Sequence, residues 1–287
     1  MEITKSIIKK FRRKIWSKFV SAVKDYNLIE ENDKIAVCIS GGKDSFLLAL
    51  CLDELKRHGQ FKFDLVFLCM NPGYKKENLD KIKENASKMG IDINIFESNI
   101  FEVVDKSDLS SPCYLCARMR RGCLYNKAKE MGCNKIALGH HFNDVIETSL
   151  LNILFAGQTG GMPPKLKSDN FLGMELIRPL YYVKEDDIKS WANYNNLEFI
   201  DCACSISKKK NSSKRKYIKD LIKELNLVNR NADINIFRSL ENVNIDTLNG
   251  YIKNSVKYGK NYHEECDIVM YALLNYMKKE AKKYDDS

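Results

Sequence analysis

Hydrophobic and polar positions along the chain alternate between two spacings. Short, almost unbroken apolar runs at 35–38, 63–70, 91–96 and 135–139 read as buried strands. Between them, apolar residues recur at helical spacing after Ser45, over 75–89 and over 145–155, with Gly90 placed to stop the second of these helices. Strands alternating with helices predict an α/β fold, a doubly wound parallel sheet with helices on both faces. The first thirty residues interleave Ile7, Ile8, Phe11, Ile15, Trp16 and Phe19 with Lys9, Lys10, Arg12, Arg13 and Lys14. That pattern predicts one basic amphipathic helix running to about Tyr26. The expected organisation is therefore a helical extension over 1–30, an α/β domain over 31–200, and a basic loop with a helical extension over 201–287. Ligands of such sheets bind beyond the C-terminal strand ends, so the segments leaving the strands at 35–38 and 135–139 are the places to look for chemistry.

The first of these segments is Ile39-Ser40-Gly41-Gly42-Lys43-Asp44-Ser45. Two glycines between a strand and a helix let backbone N–H groups approach an anion, the helix N-terminus adds its positive dipole end, and Lys43, Ser40 and Ser45 supply further donors. Phosphate is the natural ligand, although a bare Gly-Gly would equally suit an ordinary βα turn. The Walker spacing is absent, because Lys43 follows Gly42 directly and precedes Asp44. The second segment, Gly139-His140-His141-Phe142-Asn143-Asp144-Val145-Ile146-Glu147-Thr148, places Asp144 and Glu147 three apart on one helical face, with Asp144 also suited to capping the helix. Two carboxylates facing a triphosphate suit Mg²⁺.

Charge and cysteine content narrow the chemistry. Lys and Arg number 47 against 38 Asp and Glu, a formal net charge of +9 that favours a polyanionic partner. No apolar segment reaches the roughly 18 residues of a membrane span and the first thirty residues lack a signal-peptide core, so a cytoplasmic protein with no membrane contact is expected. Ten cysteines in such a protein are core, catalytic or metal-bound rather than disulfide-paired. Cys38, Cys51 and Cys69 lie in apolar runs and read as core; Cys123, Cys133 and Cys266 have no paired spacing and read as structural. Pro112-Cys113-Tyr114-Leu115-Cys116 is a C-x-x-C followed by Arg118, Arg120 and Arg121. Alone it could be a redox pair or half a zinc site. A second pair, Cys202-Ala203-Cys204, follows an expected strand at 199–200 and is spaced too closely for a zinc knuckle. Three thiolates would hold a [4Fe–4S] cluster with one iron left open. The run Lys208, Lys209, Lys210, Lys214, Arg215 and Lys216 would by itself suit a solvated loop; beside that ligand, and with Arg118, Arg120 and Arg121 on the other cysteine segment, RNA-phosphate contact is the better reading.

Ser40-Gly41-Gly42-Lys43-Asp44-Ser45 resembles the PP-loop of the ATP pyrophosphatases, and Gly139-His140-His141 with Asp144, Glu147 and Thr148 resembles a second motif of the same proteins. Cys113-x-x-Cys116-x-Arg118-x-Arg120-Arg121-Gly122, Leu138-Gly139-His140-His141, Ile177-Arg178-Pro179-Leu180 with Glu185 and Asp187, and 235–243 together resemble the tRNA 2-thiocytidine biosynthesis family. That resemblance implies the PP-loop pyrophosphatase fold and an ATP-dependent tRNA thiolase that adenylates a base, expected to be an anticodon-loop cytidine, and exchanges its C2 oxygen for sulfur. It implies ATP, Mg²⁺ and a [4Fe–4S] cluster, with tRNA and a sulfur donor (inorganic sulfide or a persulfide carrier) as partners, and it leaves room for a homodimer. Lys43, Asp44, Cys113 and Cys116 take the catalytic positions. Ser40, Gly41, Gly42, Lys43, Asp44, Ser45, Met70, Gly139, His140 and Asp144 hold the nucleotide, and Asp144 and Glu147 the magnesium. Cys113 and Cys116 ligate the cluster with one of Cys202 and Cys204, the latter slightly favoured. Here the family's Cys-x-x-Cys-Gly-Ser-Gln is Cys202-Ala203-Cys204-Ser205-Ile206-Ser207, which leaves the third ligand open. A PP-loop ligase forming lysidine, or a 2-thiouridine enzyme, is the alternative; the first has no use for the cysteines, and the second carries paired terminal zinc fingers absent here.

Overall fold

The computed structural model describes residues 2–59, 62–98, 100, 112–200, 211–253 and 256–258. The chain falls into two compact units, Met1–Arg238 and Ser239–Ser287. In the first, β1 (Lys34–Cys38), β2 (Asp64–Asn71), β3 (Ile93–Glu97), β4 (Lys135–Ala137), β5 (Lys165–Lys167) and β6 (Glu175–Ile177) form one sheet in the order β3-β2-β1-β4-β6-β5. Strands β3, β2, β1, β4 and β6 pair in parallel, with Ile35 opposite both Leu65 and Lys135. Only β5 runs antiparallel, on β6. Its sequence, Lys165-Leu166-Lys167, carries no apolar run, which is why the strand left no signal.

The two-residue period of β1 builds both halves of the core. Ile35 and Val37 pack on one face with α3 (Lys43–His58), α4 (Lys76–Met89) and α7 (Glu185–Tyr194), while Ala36 and Cys38 meet Tyr125 and Ala128 of α5 (Pro112–Glu130) on the other. Helices on both faces of a parallel sheet are the doubly wound arrangement the spacing predicts. Gly90, at φ +68°, closes α4 in the left-handed conformation that glycine tolerates best. Cys38, Cys51, Cys69 and Cys133 are buried free thiols, as core residues should be. At the opposite end of the sheet from the PP-loop, the buried Lys135 ammonium lies 2.7 Å from Asp33 and 3.2 Å from the Leu28 carbonyl, which ties the N-terminal segment to β4.

The N-terminal segment is not the single helix expected. It is α1 (Glu2–Ile8), a π-helical turn over Arg12–Trp16, and α2 (Ser17–Asp25). Ile7, Phe11, Ile15 and Phe19 are all buried in the main core. An i+4 repeat drifts about 40° per step around a helix of 3.6 residues per turn, so one straight α-helix could not aim all four inward; the wider turn absorbs that drift. Beyond β6 the chain continues through α7, α8 (Asn211–Val228) and α9 (Ala232–Ser239). Residues 197–200 run without regular structure, and Phe199 and Ile200, where a strand was expected, pack instead on the core. Helices α8 and α9 are the helical extension expected after residue 200; within it, in the second unit, Tyr251–Lys253 and Val256–Tyr258 form instead an antiparallel hairpin, with Tyr251 and Tyr258 stacked at 4.6 Å. The rest of that expected tail, from 259 on, lies outside the described residues.

Candidate active site

The glycine turn after β1 is held by close packing and by its own hydroxyls. Gly41 has φ +87°, and a Cβ there would lie 2.5 Å from the Ile200 side chain and 2.8 Å from that of Ile82. Ser45 Oγ donates to the Gly42 carbonyl at 2.9 Å and accepts the Ser40 N–H at 3.2 Å. Helix α3 begins at once, so its first N–H groups have no helical acceptor and face the loop. At the end of β4, Gly139 lies directly on this helix start: a Cβ would meet the Asp44 carbonyl carbon and the Ser45 nitrogen, each at 3.0 Å. The next residues turn into α6 (Phe142–Ala156), where Asp144 accepts the His141 N–H at 3.1 Å, the capping role its spacing predicts.

These turns line one cavity of about 620 Å³ at the C-terminal end of the sheet. Its polar part carries Ser40, Asp44, Ser45, Gly139, His140 and Asp144, with Arg120 and Arg121 from α5 and Arg215 from α8. Its apolar part carries Met70, Leu124, Tyr125, Ile136 and Leu138. Two buried polar atoms beside it, Asp44 Oδ1 and His140 Nδ1, have no hydrogen-bond partner among the described residues. Burial is the main reason His140 is pushed down to about 4; Asp144 pulls it back only in part, and Arg178 and Arg215 add to the fall. The imidazole is therefore neutral near pH 7. For Asp144, burial raises the carboxyl's pKa but His141 and His140 outweigh it, leaving the group below the usual carboxylate range.

Other predicted residues are placed differently. Lys43 Nζ is held 3.2 Å from Asp44 and 3.5 Å from Glu185, at the start of α7. Glu147 faces α8 rather than the cavity, with Arg215 Nε at 3.2 Å and Lys219 at 3.7 Å. Burial pushes its carboxyl up to about 7 against the pull of those two cations. Glu185 is the reverse case: burial raises it, but Lys219, Lys43 and Lys189 together bring it down to about 2. Arg118 and Lys214 are exposed. The backbone of Cys113 and Cys116 lies in the opening turns of α5, the helix that also supplies Arg120, Arg121, Leu124 and Tyr125 to the cavity. Cys202, Cys204, Lys208, Lys209 and Lys210 lie outside the described residues.

Residues 10–225 match the PP-loop domain family. The tRNA-cytidine(32) 2-sulfurtransferase of Geobacter metallireducens is 39% identical over 80% of this chain and 90% of its own length. The chain belongs to the PP-loop family of tRNA 2-thiocytidine proteins. Another member, the tRNA-cytidine(32) 2-sulfurtransferase of Syntrophotalea carbinolica, is 40% identical over 74% of this chain and 82% of its own. Among solved structures the fold resembles the U34-tRNA thiolase NcsA from Methanococcus maripaludis, solved with its [4Fe-4S] cluster. The TM-score is 0.63 at 23% identity, over 78% of this chain and 76% of that one. The likeness supports the PP-loop α/β architecture. In this member of the family, the roles of Glu185, Lys219 and Arg178 escaped sequence reasoning. Arg178 follows β6 and is buried, with no hydrogen-bond partner for its Nε among the described residues and one terminal nitrogen donating to the Pro163 carbonyl. Burial draws its pKa down to about 10. The sequence marked it as part of the Ile177-Arg178-Pro179-Leu180 motif but attached no role to it.

Proposed function

We propose that the protein is an ATP-dependent tRNA sulfurtransferase that converts a cytidine, position 32 in the names of its relatives, to 2-thiocytidine. One observation carries this reading: the phosphate-binding turn, the Gly139–His140 turn and three arginines from two other helices line the same cavity. A nucleotide and a polyanion that must react together need that convergence. The triphosphate lies against Ser40, Ser45 and the N-terminus of α3, with Lys43 beside the departing pyrophosphate and the adenine against Met70 and the other apolar walls. The C2 oxygen of the base attacks the α-phosphorus and the bond to pyrophosphate breaks. Sulfide then adds at C2, and AMP leaves with the former carbonyl oxygen. Preformed charge at Lys43 and the arginines stabilises the transferred phosphoryl group, which is an electrostatic role. Neutral His140 can accept a hydrogen bond there without adding charge.

Mg²⁺ fits Asp44 and Asp144, since Asp44 Oδ1 is buried with no hydrogen-bond partner among the described residues and Asp144 lines the same wall; it would offset phosphate charge. A [4Fe–4S] cluster suits Cys113 and Cys116, because their helix is itself a wall of the cavity, with Cys202 or Cys204 as third ligand. Bound there, it would supply a place for sulfur near the base. The donor is sulfide or a persulfide carrier, and the compartment is the cytoplasm.

The test is anaerobic incubation of the protein with ATP, Mg²⁺, sulfide and unmodified tRNA, followed by mass spectrometry of the nucleosides. Expected products are 2-thiocytidine with matching AMP and pyrophosphate, all lost in Lys43→Ala. Near-normal AMP release from that variant would overturn the PP-loop assignment, and a different modified nucleoside would overturn cytidine thiolation.

A further inference from the structure

The last turn of α6 leaves Ile153, Leu154 and Phe155 at 44%, 51% and 45% exposure, although the rest of the helix packs inward. Across from them on α8, Tyr217 is 57% exposed. The Phe155 and Tyr217 rings meet edge to face at 6.4 Å and 77°, and Lys214 Nζ lies 5.0 Å from the centre of the Phe155 ring. Contiguous exposed apolar surface marks an interaction site, and its rim indicates the partner. Residues 211–219 contain four cations and no acidic residue. Lys214, Arg215 and Lys216 are all exposed. Protein interfaces deplete charge at their centre, whereas rings with cations set among them suit unpaired nucleobases and their phosphates. The surface is also continuous with the active site, because Arg215 lines the cavity.

We propose that Phe155 and Tyr217, with Lys214, form a stacking platform for an unpaired RNA nucleotide next to the one that enters the cavity. The platform rests on the tRNA reading above and adds to it the residues that hold the substrate loop. Neither ring touches the reacting atoms, so both are positioning residues.

The test is equilibrium binding of unmodified tRNA, without turnover, to the full-length protein and to Phe155→Ala, Tyr217→Ala, the double variant and Tyr217→Phe. Stacking on an aromatic side chain is worth about 1–3 kcal/mol per base, so Tyr217→Ala should weaken binding about 5-fold or more. Tyr217→Phe should bind nearly as the parent does, and ATP affinity and thermal midpoint should not move. Removing the base of the flanking nucleotide from the RNA should erase the difference between parent and Tyr217→Ala, which a merely structural role would not produce. Undiminished tRNA affinity in the double variant would overturn the platform, as would a parent that binds no tRNA. So would sedimentation showing a dimeric parent and a monomeric double variant, which would make the patch a protein interface. A parent that binds tRNA but forms no thiolated base would sink the catalytic reading and leave the platform standing.

Discussion

Glu185 is the residue whose contribution can be worked most directly from the structure. Its carboxylate lies 3.5 Å from Lys43 and 3.2 Å from both Lys219 and Lys189, and it joins the phosphate-loop lysine to helix α8. Burial alone would raise its pKa, yet the three ammonium groups bring it to about 2 from an ordinary 4.5. At 1.36 kcal/mol per unit, the difference corresponds to about 3 kcal/mol of folding stability. The folded-state value is depressed, so this stability is fully present above the unfolded value near 4.5 and is lost as pH falls through about 2. Glu185→Gln keeps the shape and removes the charge. Urea unfolding at pH 7 should therefore show a loss of about 3 kcal/mol with an unchanged m value. The gap between parent and variant should shrink to less than half by about pH 3, where the parent carboxylate has lost most of its ionic advantage. Lys219→Met should be strongly non-additive with it, because both substitutions break one network. A loss below about 1 kcal/mol at pH 7, or a gap that does not narrow on acidification, would refute the argument that these lysines hold Glu185 ionised.

Four further outcomes can be measured. Gly139→Ala places a methyl 3.0 Å from the backbone of Asp44 and Ser45; overpacking of this kind costs about 1–3 kcal/mol, and a small displacement of the loop should reduce pyrophosphate release about 100-fold. Gly122→Ala, with no atom of the described residues within 4 Å of the new methyl, should instead stabilise α5 by about 0.5–1 kcal/mol, and equal melting points for the two variants would contradict the packing argument. Protein prepared without oxygen should carry about four irons per chain, as a [4Fe–4S] cluster requires, and Cys113→Ala should lose iron and thiolation but keep ATP binding; stoichiometric zinc in the parent would exclude the cluster. If Arg118 and Arg121 contact phosphates, replacing either by Ala should flatten the salt dependence of tRNA binding by a slope of about one, and an unchanged slope would return them to solvent.

What the sequence by itself determined is what depends on neighbours close along the chain. The apolar run at 35–38 specified a buried central strand, and its two-residue period already assigned Ile35 and Val37 to one face and Ala36 and Cys38 to the other. Glycines at a strand-to-helix junction specified the tight turn between β1 and α3, because backbone conformation and close approach are local requirements. The spacing of Asp144 and Glu147 correctly placed both on α6. Only the tertiary structure separated them, leaving Asp144 on the cavity wall and giving Glu147 to Arg215 and Lys219 of a helix some seventy residues on. The same holds for Lys43, whose partner Glu185 is 142 positions away, for the antiparallel β5, and for Ile200, which packs on Gly41 where a strand had been expected. Ion pairs, ring contacts and close packing between distant segments depend on which helix faces meet across the sheet. Residue spacing does not encode that geometry, because it arises only when the buried faces are brought together.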